Sequence, residues 1–147
     1  MKKLTIRALG GVLAGLGLLL AAATLQAQSL AEHKVVLQIS DNDPSKQTLV
    51  LNVANNVLNH YGRDLVQLEI VAFGPGLRLL FEDNANEGRI GSLMANGVTF
   101  SACGNTIAGM SNQLGSPIKV NKNAQIVDAG VGRILELTGQ GYTLIKP

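Results

Sequence analysis

The sequence predicts an α/β three-layer sandwich, built on a mostly parallel five-stranded sheet with helices on both faces. Three observations carry this prediction. The run KVVLQIS at residues 34–40 is apolar on both sides, as in a central strand covered above and below. Apolar segments of strand length then alternate with segments of helical period, in the order β-α-β-α-α-β-α-β-α-β. Glycine and proline punctuate the joints, and no repeat, linker or low-complexity segment interrupts the chain after residue 31.

The first strand is followed by DNDPSKQT, in which Asp43 stands as an N-cap and Pro44 occupies the first helical position, where a missing N–H costs nothing. Leu49, Val53 and Val57, flanked by Val50, Ala54, Leu58 and Tyr61, make one broad apolar stripe that Gly62 stops, so a helix is expected over 44–61. The second strand, LVQLEIVAF at 65–73, has Val66, Leu68, Ile70 and Ala72 on one face. Gln67 and Glu69 interrupt the other face, which puts this strand nearer a sheet edge than the first. Gly74-Pro75-Gly76 breaks it. A short helix over 77–82 carries Leu77, Leu79, Leu80 and Phe81, more apolar cover than one buried stripe requires, and an exposed patch is expected there. Asn84 or Asn86 caps a helix with Ile90, Leu93 and Met94 that ends at Asn96-Gly97. The third strand lies in GVTFSACGNTI, residues 97–107, with Val98, Phe100 and Ala102 on one face and Cys103 at its end. A helix over 106–113, a loop over 116–124 and a short strand over 125–127 follow. Ala129-Gly130 then turns into a helix with Val131, Ile134, Leu135 and Leu137 inward, ended by Gly139 and Gly141, and residues 142–145 form the fifth strand. Right-handed crossovers set the handedness of the whole, which is of the flavodoxin or Rossmann kind.

The chain opens with Lys2, Lys3 and Arg7 ahead of an uncharged Leu-, Ala- and Gly-rich run from Ala8 to Leu25. Small residues crowd the end of that run, Gln26, Gln28 and Ser29 form a polar shoulder, and no basic cluster follows as a stop signal. This is the pattern of a secretory signal peptide rather than of a retained anchor. Residues 1–31 are assigned as the signal peptide, with cleavage between Ala27 and Ala31, and 32–147 as one mature domain. The destination is periplasmic or secreted. Without Lys2, Lys3 and Arg7 the net charge falls from +2 to −1, with 9 basic against 10 acidic residues. Nucleic acid and, once the leader is gone, the membrane therefore have no electrostatic support as partners.

Cys103 is the sole cysteine. It forms no internal disulfide, so in an oxidising compartment it is buried, paired between chains, or a working thiol. It stands where a strand's carboxyl end meets a helix start, the place at which an open α/β sheet presents chemistry. The backbone amides of Gly104 and Asn105 and the hydroxyl of Thr106 are positioned to stabilise a sulfur anion. Burial under the following helix is the competing reading. Arg78 and Arg89 are the nearest basic candidates to assist a thiolate, though solvated helix positions explain them as well. The Gly74-Pro75-Gly76 loop is either a plain turn or the wall of a pocket beside Cys103.

Other chemistries find less support. The segment SDNDPSKQT lacks the glycines of the dinucleotide and P-loop patterns. A calcium loop starting at Asp41 would need Gly and Glu where Lys46 and Asn52 stand. His33 and His60 have no spaced partner for zinc, and His60 suits the end of the first helix through its dipole. There is neither a CxxC pair nor a GxSxG elbow.

Taken together, HKVVLQIS, the helix ending NHYG, VAFGPGLRLL, NGVTFSACGNTI and AGVGRILELTGQGYTLIKP resemble the DsrE/DsrF-like family, more narrowly its secreted branch, over residues 33–147. The resemblance implies a compact five-stranded parallel α/β sandwich assembled as a homo-trimer or homo-hexamer. In the family's sulfur-relay members a cysteine after a central strand carries sulfur as a persulfide, and Cys103 lies in a corresponding place. The expectation is a single-cysteine carrier of sulfane sulfur, or a thiol-handling protein, serving a sulfur donor or acceptor protein without metal or organic cofactor. The alternative is a non-catalytic oligomeric binding or assembly module in which Cys103 is core. A third, weaker reading is a flavodoxin-like ligand binder.

Overall fold

The computed structural model describes residues 31–147, so the leader assigned to residues 1–31 falls outside it but for Ala31. Five strands, β1 (His33–Ile39), β2 (Val66–Ala72), β3 (Thr99–Cys103), β4 (Gln125–Val127) and β5 (Thr143–Ile145), pair in the order β4-β3-β2-β1-β5. Every pairing is parallel. The helices are α1 (Pro44–Tyr61), α2 (Glu87–Ala95), α3 (Gly104–Leu114) and α4 (Gly130–Gly139), and a 3₁₀ helix spans Gly74–Leu80. The fold is α/β and flavodoxin-like.

Strand order explains the layers. From β1 to β4 the chain steps outward in one direction, so right-handed crossovers put α1, the 3₁₀ helix, α2 and α3 on one face. Among the described residues only α4, returning from β4 to β5, covers the other. The two cores differ accordingly. Nineteen buried apolar residues, among them Leu37, Ile70, Phe100, Leu51 and Leu79, fill the first. The second has four: Val36, Val71, Ile134 and Leu137.

The longest helix follows from local chemistry. The Asp43 carboxylate accepts from the Ser45 N–H at 2.8 Å and the Ser45 hydroxyl at 2.7 Å, and Pro44 begins the first turn. At the far end Gly62, at φ +88°, donates its N–H to Leu58 O.

Several expectations need correction. β2 lies at the centre of the sheet, not near an edge. Glu69 is tolerated there because it is paired rather than solvated. The short helix after β2 is 3₁₀ and begins at Gly74, three residues early. Gly76 makes this possible: a Cβ there would lie 2.6 Å from Ile39 C and 2.7 Å from Ser40 Cα, so only glycine lets the turn press on the end of β1. Leu77, Leu79 and Leu80 are all fully buried, and the apolar patch expected there is absent. The loop over 116–124 helps cover them, with Asn121 N–H donating to Leu80 O at 2.8 Å and Phe81 bridging Val120. On α4, Ile134 and Leu137 face inward as expected, but Val131 and Leu135 are 55% and 67% exposed. The buried stripe runs through Gly130, Ile134 and Leu137, with the half-buried Arg133 in line. A polar contact described below turns the helix this way. Finally, α3 begins at Gly104, directly after Cys103, rather than at Thr106.

Candidate functional site

Cys103 is the last residue of β3 and the N-cap residue of α3. Its neighbour across the sheet is Val127, the last residue of β4, after which the chain passes through Asp128 and Ala129 into α4. The amino ends of α3 and α4 therefore both open beside the thiol. The strand ends are drawn close: Asn105 N–H donates to Asp128 O at 3.1 Å, and a Cβ on Gly104 would sit 3.1 Å from Val127 O. Gly104 thus contributes space, since a larger residue would push the two loops apart.

Cys103 is buried, at 5% exposure. Burial pushes the thiol's pKa up. The Thr106 hydroxyl opposes this most strongly, followed by the backbone N–H groups of Gly130, Thr106 and Asn105, and the result is a thiol below its ordinary value. Thr106 is held for this task. Its oxygen accepts the Gly74 N–H at 3.0 Å, which leaves its single proton for the sulfur. The Gly74-Pro75-Gly76 loop therefore reaches Cys103 through Thr106. Phe73, just before it, packs on Gly130, where a Cβ would come within 2.8 Å of Phe73 Cβ.

The residues singled out in the sequence fall into two groups. Thr106 lies at the sulfur, the Asn105 N–H is shared with Asp128 O, and Gly104 lies against Val127 O, with its amide not among the groups that lower the thiol's pKa. Arg78 and Arg89 do not reach the sulfur: Arg78 lies 5.7 Å over the Phe81 ring, and Arg89 donates to Asn52 at 2.6 Å. His33 and His60 both contact the Tyr61 ring, at 3.9 and 4.5 Å between centroids. Among the described residues no three His, Cys, Asp or Glu side chains converge as a metal site.

Two features escaped the sequence reading. The first is the Gly130 amide, which comes from a separate loop. The second is a polar cluster on the same sheet face as Cys103. Glu69 on β2, 4% exposed, accepts from Arg133 Nε at 2.8 Å on one oxygen and from Arg133 Nη2 at 2.8 Å on the other. Ser101 Oγ donates to the first oxygen at 2.6 Å, and Glu136 accepts from Arg133 Nη1 at 3.3 Å. The fork raises the Arg133 pKa, chiefly through its hydrogen bonds to Glu69. Nearby, burial and then the Glu69 charge push the Tyr142 phenol up, and Tyr142 donates to Gln67 at 2.9 Å. An acid alone in a strand, a serine alone in the next strand and an arginine in line with a helix's inward stripe were the available signal.

In fold the chain is similar to the solved structure of MTH1491, a protein of unknown function from Methanobacterium thermoautotrophicum. The TM-score is 0.71, with 27% identity, covering 79% of this chain and 100% of that one. No protein-family model matches the chain, and no curated protein matches its sequence.

Proposed function

We propose that this is an exported DsrE/DsrF-like protein that carries sulfane sulfur on Cys103, or handles thiols through it. One observation carries the reading: the sulfur sits between the amino ends of α3 and α4, where the Thr106 hydroxyl and the backbone N–H groups of Gly130 and Thr106 lower its pKa against burial. These groups favour the sulfur anion, and the anion is the form that attacks. In the carrier reaction the Cys103 thiolate attacks the terminal sulfur of a donor persulfide, R–S–SH. The new S–S bond forms as the donor's S–S bond breaks, R–S⁻ leaves, and Cys103 becomes the persulfide with no net oxidation. The same donors then hold the persulfide anion until an acceptor thiolate takes the outer sulfur. The partners are a sulfur donor or acceptor protein, and the chemistry needs no metal or organic cofactor.

The test is the pH dependence of Cys103 alkylation in the native protein, followed by intact mass after incubation with polysulfide. The expected result is alkylation that begins below the ordinary cysteine range, and one added sulfur that is lost in Cys103→Ser. A thiol that reacts only on global unfolding and gains no sulfur refutes it. Export is tested separately, by an amino terminus between Gln28 and Glu32 in protein recovered from the exported fraction.

A second reading has its own support. Cys103 is buried, and Val131 and Leu135 project from α4 into solvent. Both suit a non-catalytic homo-oligomeric module, trimer or hexamer, with Cys103 as core. Assembly is compatible with the carrier reading too, so the thiol measurement separates them.

A further inference from the structure

The inward stripe of α4 carries three different contacts in sequence. Gly130 lies at the Cys103 end, Arg133 one turn on is forked to Glu69, and Ile134 and Leu137 close over Val36 and Val71. Ser101 and Cys103 are two apart on β3 and so share a sheet face. The fork therefore grips α4 one helical turn from the point where its first amide meets the sulfur. Four buried apolar residues, with the partly buried Phe73 and Tyr142 packed against them, are a small core for a whole sheet face, and apolar contact is non-directional. A helix held by it alone can slide or roll. Replacing a buried ion pair by apolar residues often leaves stability unchanged, so stability is a weak reason for this one. A bidentate guanidinium–carboxylate fork adds what the apolar contacts lack, a fixed direction and register.

We infer that Glu69 and Arg133 are positioning residues, whose fork fixes α4 on the sheet so that its amino end at Gly130 stays beside Cys103. Neither residue touches the sulfur chemistry. They act through Gly130, and Ser101 braces Glu69 from the side. This deepens the thiol reading above and rests on it for its purpose, but the contact it describes can be measured whether or not sulfur is carried.

The charged groups on the elements around Cys103 are Glu69, Arg133, Glu136, Asp128 after β4 and Arg78 in the 3₁₀ helix. This makes the sign of the effect diagnostic. In Glu69→Val a negative charge is lost near the thiol, so through-space electrostatics alone lowers the titration midpoint. Release of α4 raises it. Arg133→Lys keeps the charge but loses the fork, so electrostatics leaves the midpoint in place and release again raises it.

The experiment follows the single Cys103 ¹³Cβ resonance against pH in the full mature chain, which reads the thiol even if no reagent reaches it. Far-UV dichroism and a cooperative melt check the fold. Loss of one hydrogen bond to the anion is expected to reduce the thiolate fraction below the midpoint about tenfold in both variants. A midpoint that falls in Glu69→Val, or that stays put in Arg133→Lys, overturns the inference. If Glu69→Val does not fold, Arg133→Lys decides alone. Failure of wild-type protein to take up polysulfide sulfur, with the midpoint still rising in the variants, removes the carrier function and leaves the positioning intact.

Discussion

The Thr106 hydroxyl connects Gly74 to Cys103: it accepts the Gly74 N–H at 3.0 Å and is the strongest influence holding the thiol's pKa down. A loop after β2 thereby bears on a thiol after β3. Thr106→Val keeps the shape and removes both bonds. We expect the Cys103 midpoint to rise and alkylation at neutral pH to slow about tenfold, from one lost bond to an anion. Stability should fall by about 1–3 kcal/mol, because the Gly74 amide is left without its partner. Thr106→Ser should restore most of the reactivity. Equal alkylation rates in Thr106→Val and wild type would show that the hydroxyl does not serve the thiol.

The lowered Cys103 pKa also ties folding to pH. A group whose pKa is depressed in the native state adds stability that is fully present above its unfolded value and is lost as pH falls through its native value. Urea midpoints of wild type and Cys103→Ser should accordingly diverge as pH is raised from neutrality toward 9, with wild type gaining. Parallel curves across that range would contradict this.

Two glycines should respond to alanine in opposite ways. Gly91→Ala lies within α2 with nothing within 4 Å of the new methyl group, and about 0.5–1 kcal/mol of added stability is expected from helix propensity. Gly76→Ala drives a methyl group into the backbone of Ile39 and Ser40, and a loss of about 1–3 kcal/mol or more is expected. Denaturant midpoints with unchanged m-values check both.

Val131 and Leu135 stand one helical turn apart on the solvent side of α4. If copies of the chain assemble through this stripe, Val131→Lys combined with Leu135→Glu should reduce the mass seen by light scattering to that of a monomer at micromolar protein. Thermal stability of the monomer should change little, since neither side chain is buried. An unchanged oligomer mass excludes the stripe as the interface.

What could be read from the sequence followed the range of the interactions involved. The Asp43 cap, the Gly62 stop and the 125–127 strand are local, and each appears where the residues predict it. The place of Cys103, between a strand and a helix, was equally legible, because Phe100, Ala102 and Gly104 signal it within a few positions. The rest depends on partners far along the chain. Glu69 and Arg133 are 64 residues apart, and nothing near either announces the other, so Glu69 read as a wet face and α4 read as turned toward Val131 and Leu135. The second helix amide at the thiol escaped for the same reason: Gly130 comes 27 residues after Cys103 and meets it only because β3 and β4 pair at their ends. The 3₁₀ geometry at Gly74–Leu80 reflects a close approach to Ile39, which is a tertiary demand.

The unequal cores have a dynamic consequence. A layer with four buried apolar residues, two partly buried ones and one ion pair should open at lower free energy than one with nineteen buried. Amides of α4 should therefore exchange with solvent deuterium in fluctuations that leave β1, β2 and α1 protected. Such an opening would lift the first turn of α4 away from the strand ends and uncover Cys103 while the sheet persists. A thiol that is shut in the resting structure would then have its gate on the thinner side of the protein. Its reaction with a small alkylating agent should respond to urea with a slope well below that of global unfolding.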